Sequence, residues 1–264
     1  MNQSQQLHLD LIDHTALITI SNPPANTWTL DNLQQLTQLV HELNANRDIY
    51  ALVLTGAGEK FFSAGADLRS FAHEDNAVAR QMAGDMARRF GEAFEALSRF
   101  RGMSIAAING YAMGGGLECA LACDTRIAES QVQMALPEAS VGLLPCAGGT
   151  QHLSWLVGEG WAKRMILGGE RIDAATALRI GLVEEVVERG SAVKRALALA
   201  AQVARQSPGS VAACKQLIHG ARGQSLNSVL PAEREAFVTL FDTRDQKEGV
   251  QAFLQKRAPV WRNA

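Results

Sequence analysis

Three consecutive glycines open a short apolar helix in the segment YAMGGGLECALACD, which covers residues 111–124. A continuous apolar run at residues 104–109 comes directly before this segment and is typical of a buried strand. Glu118 is the one carboxylate inside the helix. Burying a carboxylate is costly unless it is paired, hydrogen-bonded or protonated. We therefore expect Glu118 either to reach water or to have a function.

Apolar runs and amphipathic segments alternate over the first two thirds of the chain, which indicates an α/β fold. Strand-like runs lie at residues 7–12, 16–20, 51–55, 104–109, 125–128 and 132–135, and helical patterns at 30–43 and 76–99. After about residue 189 only helical patterns follow, at 192–206, 210–219, 226–241 and 244–255. We expect a core of residues 1–190 and a helical C-terminal region of residues 191–264.

Charge and composition exclude several classes of protein. The formal net charge is -2, which gives no reason to expect nucleic acid or an anionic membrane as a partner. No apolar run approaches the roughly 20 residues of a membrane-spanning helix, and the start MNQSQQLHLDLIDHT lacks the pattern of a secretory signal. The four cysteines form no CxxC pair and no metal-ligand spacing, so we expect reduced thiols, no metal and a cytoplasmic location.

Several cofactor-binding and catalytic motifs are incomplete or missing. Gly56 and Gly58 follow the run at residues 51–55, but the third glycine of a dinucleotide fingerprint is absent. Neither GxxxxGK[ST] nor GxSxG occurs, which argues against a P-loop and against an esterase-type nucleophile. His152 lies in a helical pattern, where a surface or packing role is commoner than catalysis.

Backbone N–H groups are the first candidates for a site. The glycines at 114–116 leave unpaired N–H groups at the positive end of a helix, where a ligand oxygen can approach closely. A similar turn, FFSAGADL at residues 61–68, offers another donor near Ala66. Two such donors are what an oxyanion site needs. Both turns also have a purely structural explanation. The glycines can serve tight packing between strand and helix, and Asp67 can stabilise the start of the helix after the second turn.

A second carboxylate follows Pro137 in the segment QMALPE. Pro137 can fix the first position of a turn or helix, which puts Glu138 in its first turn. The helix dipole is a sufficient structural reason for an acidic residue there. The next segment, residues 141–150, is a glycine-rich loop that can run close to other backbone.

Six segments together resemble the crotonase (enoyl-CoA hydratase/isomerase) superfamily over essentially the whole chain. They are FFSAGADL at 61–68, INGYAMGGGLE at 108–118, ACDTRIA at 122–128, LPE at 136–138 with GLLP at 142–145 and AGGTQ at 147–151, GLVEE at 181–185, and DQKEG at 245–249 with Phe253. The resemblance implies a spiral of ββα units, with C-terminal helices that pack between subunits of a homotrimer or a dimer of trimers. It also implies an acyl-CoA thioester as substrate and no metal or redox cofactor.

The resemblance assigns roles to four residues. The family holds the thioester oxygen between two backbone amides, which by motif position belong to Ala66 and Gly115. Its hydratases carry two glutamates, at the positions of Glu118 and Glu138. We expect Glu118 to orient and deprotonate water and Glu138 to deliver a proton to C2, with the two carboxyl groups titrating as a unit.

Further substrate contacts follow from the same resemblance. Those in the two glycine turns are Ala64, Asp67, Leu68 and Gly114. Met82 and Met86 lie with Phe90 and Phe94 on a helix that flanks the acyl pocket in the family, although core packing explains their spacing as well.

The C-terminal region and two other positions complete the expectations. Phe241 and Lys256 match positions that contact CoA in the family. Lys256 would bind a CoA phosphate, and the alternative is that it is an ordinary solvated surface lysine. Arg69 is a similar candidate. Trp28 departs from the family pattern, because it puts a bulky aromatic near the CoA-binding loop, and simple packing is the alternative role for it.

The leading hypothesis is therefore an enoyl-CoA hydratase that forms a 3-hydroxyacyl-CoA. An enoyl-CoA isomerase or another lyase on the same scaffold is the alternative within the enzyme class. A non-catalytic CoA-binding protein is the alternative from another class, and loss of a glutamate or glycine from the site is its expected mark. This chain retains those residues.

Overall fold

The computed structural model describes residues 6–72 and 74–263, in which strands and helices alternate before a helical end. The strands are β1 (Leu7–Ile12), β2 (Thr15–Ile20), β3 (Ala51–Gly56), β4 (Phe61–Ser63), β5 (Met103–Ile108), β6 (Tyr111–Met113), β7 (Thr125–Glu129), β8 (Gln133–Ala135), β9 (Ile172–Asp173) and β10 (Glu185–Val187). The helices are α1 (Leu30–Ala45), α2 (Asn76–Ser98), α3 (Gly115–Ala122), α4 (Gly149–Leu167), α5 (Ala174–Ile180), α6 (Ala192–Val203), α7 (Pro208–Gly220), α8 (Leu226–Thr239) and α9 (Arg244–Leu254). Short 3-10 helices cover Leu68–Phe71, Glu138–Val141 and Leu240–Asp242.

Two sheets organise these elements. The main sheet has six strands in the order β1-β2-β3-β5-β7-β10, and the smaller one has four in the order β4-β6-β8-β9. Pairing is parallel throughout except for the hairpin of β1 with β2 and the pair of β8 with β9. Three successive turns, which begin at β3, β5 and β7, each give one strand to each sheet and then a helix. The predicted α/β fold, a spiral of ββα units with C-terminal helices, is confirmed.

The main sheet is covered on both faces, because the side chains of its strands alternate between two clusters. Leu52 and Leu54 of β3 pack in the larger cluster, with the apolar faces of α1 and α2. Their neighbours Ala51 and Val53 point to the other face, where they meet the alanines of α6. Since α6 presents only alanines at its buried positions, it can lie close to the strands.

Packing changes after α6. Helices α7 and α8 bury none of their described residues, although both carry large apolar side chains. The boundary at residue 191 stays a prediction, and α6 itself packs on the main sheet. Within the described part of the chain, no helix is both long and apolar enough to cross a membrane.

The pattern-based predictions match the long elements best. The predicted hairpin, α1, β3, α2, β5 and β7 lie within a few residues of the observed bounds. The short strands β4, β6, β9 and β10 were not predicted, because two or three residues are too few to show a periodicity. Helix α4 contains a break at Gly158, whose φ of 75° is not helical.

Candidate active site

A cavity of about 340 Å³ lies where the glycine turns of the first two spiral units meet the loop of the third. Its walls are mostly apolar, and Glu118 and Glu138 are the only ionisable carboxyl groups in the described lining. The remaining lining residues are Thr27, Ala64, Gly65, Ala66, Leu68, Phe71, Phe90, Gly114, Gly115, Pro137, Ser140, Val141, Leu143, Leu144 and Cys146. The described residues contain no cluster of His, Cys, Asp or Glu that could hold a metal ion.

The turn into α3 forms one side of the cavity. Gly114 donates its N–H to Ala135 O at 2.9 Å, and its φ of 52° is in the region that favours glycine. The chain then enters α3 at Gly115, whose N–H lies at the positive end of the helix. This geometry follows from the glycine run, and Glu118 and Glu138 line the same cavity.

The second glycine turn is held in place by the backbone of Trp28. Trp28 N–H donates to Gly65 O at 2.8 Å, and Asp67 N–H donates to Trp28 O at 3.2 Å. These two bonds make a parallel bridge between Trp28 and Ala66. In such a bridge the N–H of Ala66 itself points away from Trp28, since the neighbouring residues supply the bonds. The Ala66 amide is therefore turned to the other side of its strand.

The two turns are in direct contact. A methyl group placed on Gly65, whose φ is 87°, would lie 3.0 Å from the backbone nitrogen of Gly115. No acceptor within the described residues pairs with the N–H of Ala66 or of Gly115. Two unpaired amide donors at the wall of one cavity can together bind an oxygen that carries negative charge.

Glu118 is almost fully buried, with 2% of its surface exposed. Its Oε1 accepts hydrogen bonds from Ala147 N–H and Gly149 N–H, each at 2.8 Å. Burial raises the pKa of Glu118 above its usual range, and these backbone bonds oppose the rise. The loop before α4 thus fixes one carboxylate oxygen and the direction in which the carboxyl group points.

Glu138 lies in the 3-10 helix that follows β8 and approaches the glycine turn. A methyl group on Gly114 would lie 2.9 Å from Glu138 Oε1, so the carboxyl group packs directly over that glycine. Its Oε2 is buried and has no hydrogen-bond partner among the described residues. Burial raises the pKa of Glu138 to about 7, and the charge of Glu118 adds to the rise. Near neutral pH this group can therefore both donate and accept a proton.

The structure brings together most of the residues that the sequence indicated. Those at the cavity are Ala64, Ala66, Leu68, Gly114, Gly115, Glu118 and Glu138. Asp67 instead caps the 3-10 helix and pairs with Arg69. Met86 is buried in the core and Met82 is half-buried on α2, and neither is part of the lining. Phe241 and Lys256 are exposed on the C-terminal region, so their contacts with CoA stay predictions.

Other lining residues were not singled out from the sequence. Thr27, Phe71, Ser140, Leu143, Leu144 and Cys146 reach the cavity from turns and loops, where no periodicity indicates which side chains point inward. The glycine-rich character of residues 141–150 was the available signal, and it predicted a close backbone approach without naming a side chain. Phe90, which the resemblance placed on the helix that flanks the acyl pocket, does line the cavity, although its apolar spacing alone did not distinguish it from a core residue.

His152 has the packing role expected from its position on α4. Its ring packs edge to face on Trp155 and lies against Gly148. Burial lowers the pKa of His152 to about 4, and the positive charge of Arg222 contributes. The imidazole is neutral at pH 7 and lies outside the cavity lining.

Known proteins share the fold and the sequence over almost the whole chain. A family model described as Enoyl-CoA hydratase/isomerase matches residues 13–264. The short-chain-enoyl-CoA hydratase of Clostridium acetobutylicum is 39% identical over 92% of this chain and 92% of its own length. Among solved structures, Pseudomonas aeruginosa DspI is 67% identical with a TM-score of 0.94, over 99% of this chain and 98% of its own. An enoyl-CoA hydratase from Bacillus anthracis is 35% identical with a TM-score of 0.93, over 98% of this chain and 100% of its own. The chain belongs to the enoyl-CoA hydratase/isomerase, or crotonase, family.

Proposed function

We propose that the protein is an enoyl-CoA hydratase, a hydro-lyase that adds water across the 2,3 double bond of a 2-enoyl-CoA. The observation that carries this proposal is the pair of carboxyl groups at one cavity with two unpaired backbone amides. Hydration needs a group that takes a proton from water, a group that gives one to carbon, and a site for the charge on the thioester oxygen. The relatives named above support the same reaction class.

The amides of Ala66 and Gly115 form the oxyanion hole of this proposal. Addition of water at C3 moves the electrons of the double bond toward the thioester carbonyl, so negative charge grows on its oxygen. Two aligned N–H groups stabilise that charge more than they stabilise the neutral carbonyl. Removing one such donor typically costs about 10²–10³ in rate.

The two glutamates divide the proton transfers. Glu118, held by two backbone amides, orients the water and accepts its proton as oxygen attacks C3. Glu138, whose pKa is about 7, delivers a proton to C2. The product is a 3-hydroxyacyl-CoA, and the transferred protons balance because one is taken and one is given. The two carboxyl groups interact, so their titration belongs to the pair.

The cavity wall supports an apolar acyl group. Leu68, Phe71, Phe90, Leu143 and Leu144 surround the carboxyl groups, and the described lining contains no lysine, arginine or histidine. A substrate with a second carboxylate on its acyl chain would place that charge near two glutamates without a compensating cation. We expect such substrates to be poor.

The test follows the loss of absorbance of the conjugated enoyl-thioester, with 2-enoyl-CoAs from four to sixteen carbons. Glu118→Gln and Glu138→Gln should each lower kcat by about 10²–10⁴, since each removes one proton transfer. Glu95→Gln, on the exposed face of α2, is the matched control and should keep the wild-type rate. An inactive wild type on every chain length, or full activity in both site variants, would exclude the proposal.

An isomerase is the second candidate, because Glu138 has a buried oxygen with no partner in the described chain and a pKa suited to moving a proton. Such an enzyme would shuttle a proton between C4 and C2 of a 3-enoyl-CoA. Product analysis with 3-enoyl-CoA separates the two reactions, since an isomerase yields the 2-enoyl-CoA without net uptake of water. Acyl-CoA binding without any turnover would instead indicate a non-catalytic CoA-binding protein.

The C-terminal helices support a homotrimer or a dimer of trimers. Large apolar side chains are exposed there in the single chain, among them Phe237, Phe241, Phe253 and Leu254. Their burial against another subunit would remove apolar area from water. Sedimentation equilibrium should give three or six times the chain mass, and a mass of one chain would reject the assembly.

A further inference from the structure

We infer that Trp28, Phe94 and Phe90 form an aromatic wedge that sets the spacing of the two oxyanion amides, with Trp28 as a positioning residue. The inference rests on the proposed function, in that it assigns the Ala66 and Gly115 amides to a thioester oxygen. It adds a role for a residue that does not line the cavity and touches no reacting atom.

One end of the wedge is fixed to the first donor. Trp28 binds Gly65 and Asp67 through its backbone, on either side of Ala66, at 2.8 and 3.2 Å. Any shift of the Trp28 backbone therefore moves the strand that carries the Ala66 amide. The indole ring is fully buried, so it cannot move without displacing its neighbours.

The other end of the wedge lies against the second donor. A methyl group on Gly115 would be 2.9 Å from both Cε1 and Cζ of Phe90. The edge of the Phe90 ring thus supports the α-carbon of Gly115 at the start of α3. Movement of this ring changes where the Gly115 amide can lie.

Phe94 connects the two ends. Its ring centroid is 5.6 Å from that of Trp28 at an interplanar angle of 72°, and 5.3 Å from that of Phe90 at 66°. Both contacts are edge-to-face, the arrangement that aromatic pairs prefer. Phe90 and Phe94 are each 2% exposed, so the three rings form one close-packed connection. In such an interior, a change in ring size at one end is transmitted to the other.

The unpaired N–H of the Trp28 indole indicates that this side chain does more than fill space. Trp28 Nε1 is buried and has no hydrogen-bond partner among the described residues. A buried donor without an acceptor is unfavourable, and leucine or phenylalanine would fill an apolar site without one. The aromatic edge that packs against Phe94, rather than the indole N–H, is therefore what the site uses.

The experiment compares Trp28→Leu with Trp28→Phe and with Phe100→Leu. Trp28→Leu should lower kcat by about 10-fold with KM within about twofold, because small displacement of a donor costs less than its loss. Trp28→Phe keeps an aromatic edge against Phe94 and should recover most of the rate. Phe100→Leu truncates an equally buried aromatic outside the wedge and should keep kcat.

A second readout measures the oxyanion site directly. Butyryl-CoA labelled with carbon-13 at its carbonyl cannot be hydrated, and the infrared frequency of its bound carbonyl falls as the two amides polarise it. The shift should be clear in the wild type and in Phe100→Leu, and about halved in Trp28→Leu. If Trp28→Leu does not fold, Phe94→Leu replaces it, with the same expected loss.

The outcomes separate the two claims. A wild type that shifts the carbonyl but hydrates no enoyl-CoA would overturn the proposed function and leave the wedge in place. A full carbonyl shift with wild-type kcat in Trp28→Leu, or in Phe94→Leu if that variant is used, would overturn the wedge. Equal losses of kcat in Trp28→Leu and Phe100→Leu would also overturn it, because a general packing defect would then explain both.

Discussion

Replacing Glu138 by glutamine should make the folded protein more stable above pH 7 and leave it unchanged near pH 4. The pKa of Glu138 is about 7 in the folded chain, whereas an unfolded glutamate titrates near 4.3. Below about pH 4 the carboxyl group is protonated in both states. As the pH rises toward 7, the unfolded chain ionises first, so the folded state loses stability relative to it. Glutamine never ionises, and its variant avoids this loss.

The magnitude follows from the shift. A rise from about 4.3 in the unfolded chain to about 7, at about 1.4 kcal/mol for each pKa unit, corresponds to an upper limit of about 4 kcal/mol. Glu138 is partly exposed at the cavity wall, so solvent screens part of this cost. We expect glutamine to raise the free energy of unfolding by about 1–2 kcal/mol at pH 8. The difference should shrink steadily between pH 7 and pH 4.

Urea unfolding of both proteins at one protein concentration, from pH 4 to 9, measures this difference. Glu248→Gln is a control of opposite sign, because hydrogen bonds from Arg257 lower the pKa of Glu248 to about 2. The ionised Glu248 stabilises the fold above about pH 4, so its glutamine variant should be less stable at neutral pH. Identical unfolding curves for wild type and Glu138→Gln at pH 8 would refute the reasoning, since burial would then impose no cost on the charge.

Three further predictions test the site and the packing around it. If Glu138 delivers the proton to C2 as proposed, the hydration rate at saturating substrate should fall as the pH rises through about 7, because the group must be protonated to donate. A rate that is flat from pH 6 to 9 would contradict this role. Gly114→Ala should lower kcat by about tenfold or more, because the added methyl group would lie 2.9 Å from Glu138 Oε1 and the backbone φ of 52° is unfavourable for alanine. Stopped-flow absorbance measures this rate, and unchanged kinetics would show that the close contact is harmless. Asp245→Ala should lower the free energy of unfolding in urea by about 2–3 kcal/mol, because the buried side chain of Asp245 accepts hydrogen bonds from Arg262 N–H and Asn263 N–H. An unchanged urea midpoint would show that these two bonds do not stabilise the fold.

The sequence was informative where one residue broke a local rule. Glu118 stood out because a carboxylate inside an apolar helix needs a reason, and the structure supplies two backbone donors for it. The glycines at 114–116 stood out because a strand led directly into them. Long periodic elements such as α1 and β3 were predicted from their apolar spacing alone.

The rest of the site depends on long-range packing that a local pattern does not contain. Leu143, Leu144 and Cys146 reach the cavity only because their loop folds back over α3, and no spacing rule indicates this. Met86 and Phe90 lie four residues apart on the same apolar face of α2, so their spacing does not distinguish them. Only the way α2 packs in the folded chain puts Phe90 at the cavity and Met86 in the core. Strands β4, β6 and β9 of the smaller sheet have three residues or fewer and were not predicted, so tertiary pairing rather than propensity forms them, whereas β8 lies in the apolar run predicted at residues 132–135.

The candidate site takes one part from each of three consecutive turns of the spiral. Ala66 belongs to the turn that begins at β3, Gly115 and Glu118 to the turn at β5, and Glu138 to the turn at β7. The loop before α4, also in the last turn, orients Glu118. A chain that has folded only its first two turns therefore has both amides, but its Glu118 lacks the two backbone donors and Glu138 is not yet in place. If the protein hydrates enoyl-CoA as proposed, recovery of that activity during refolding requires the third turn and should not precede any signal of its folding.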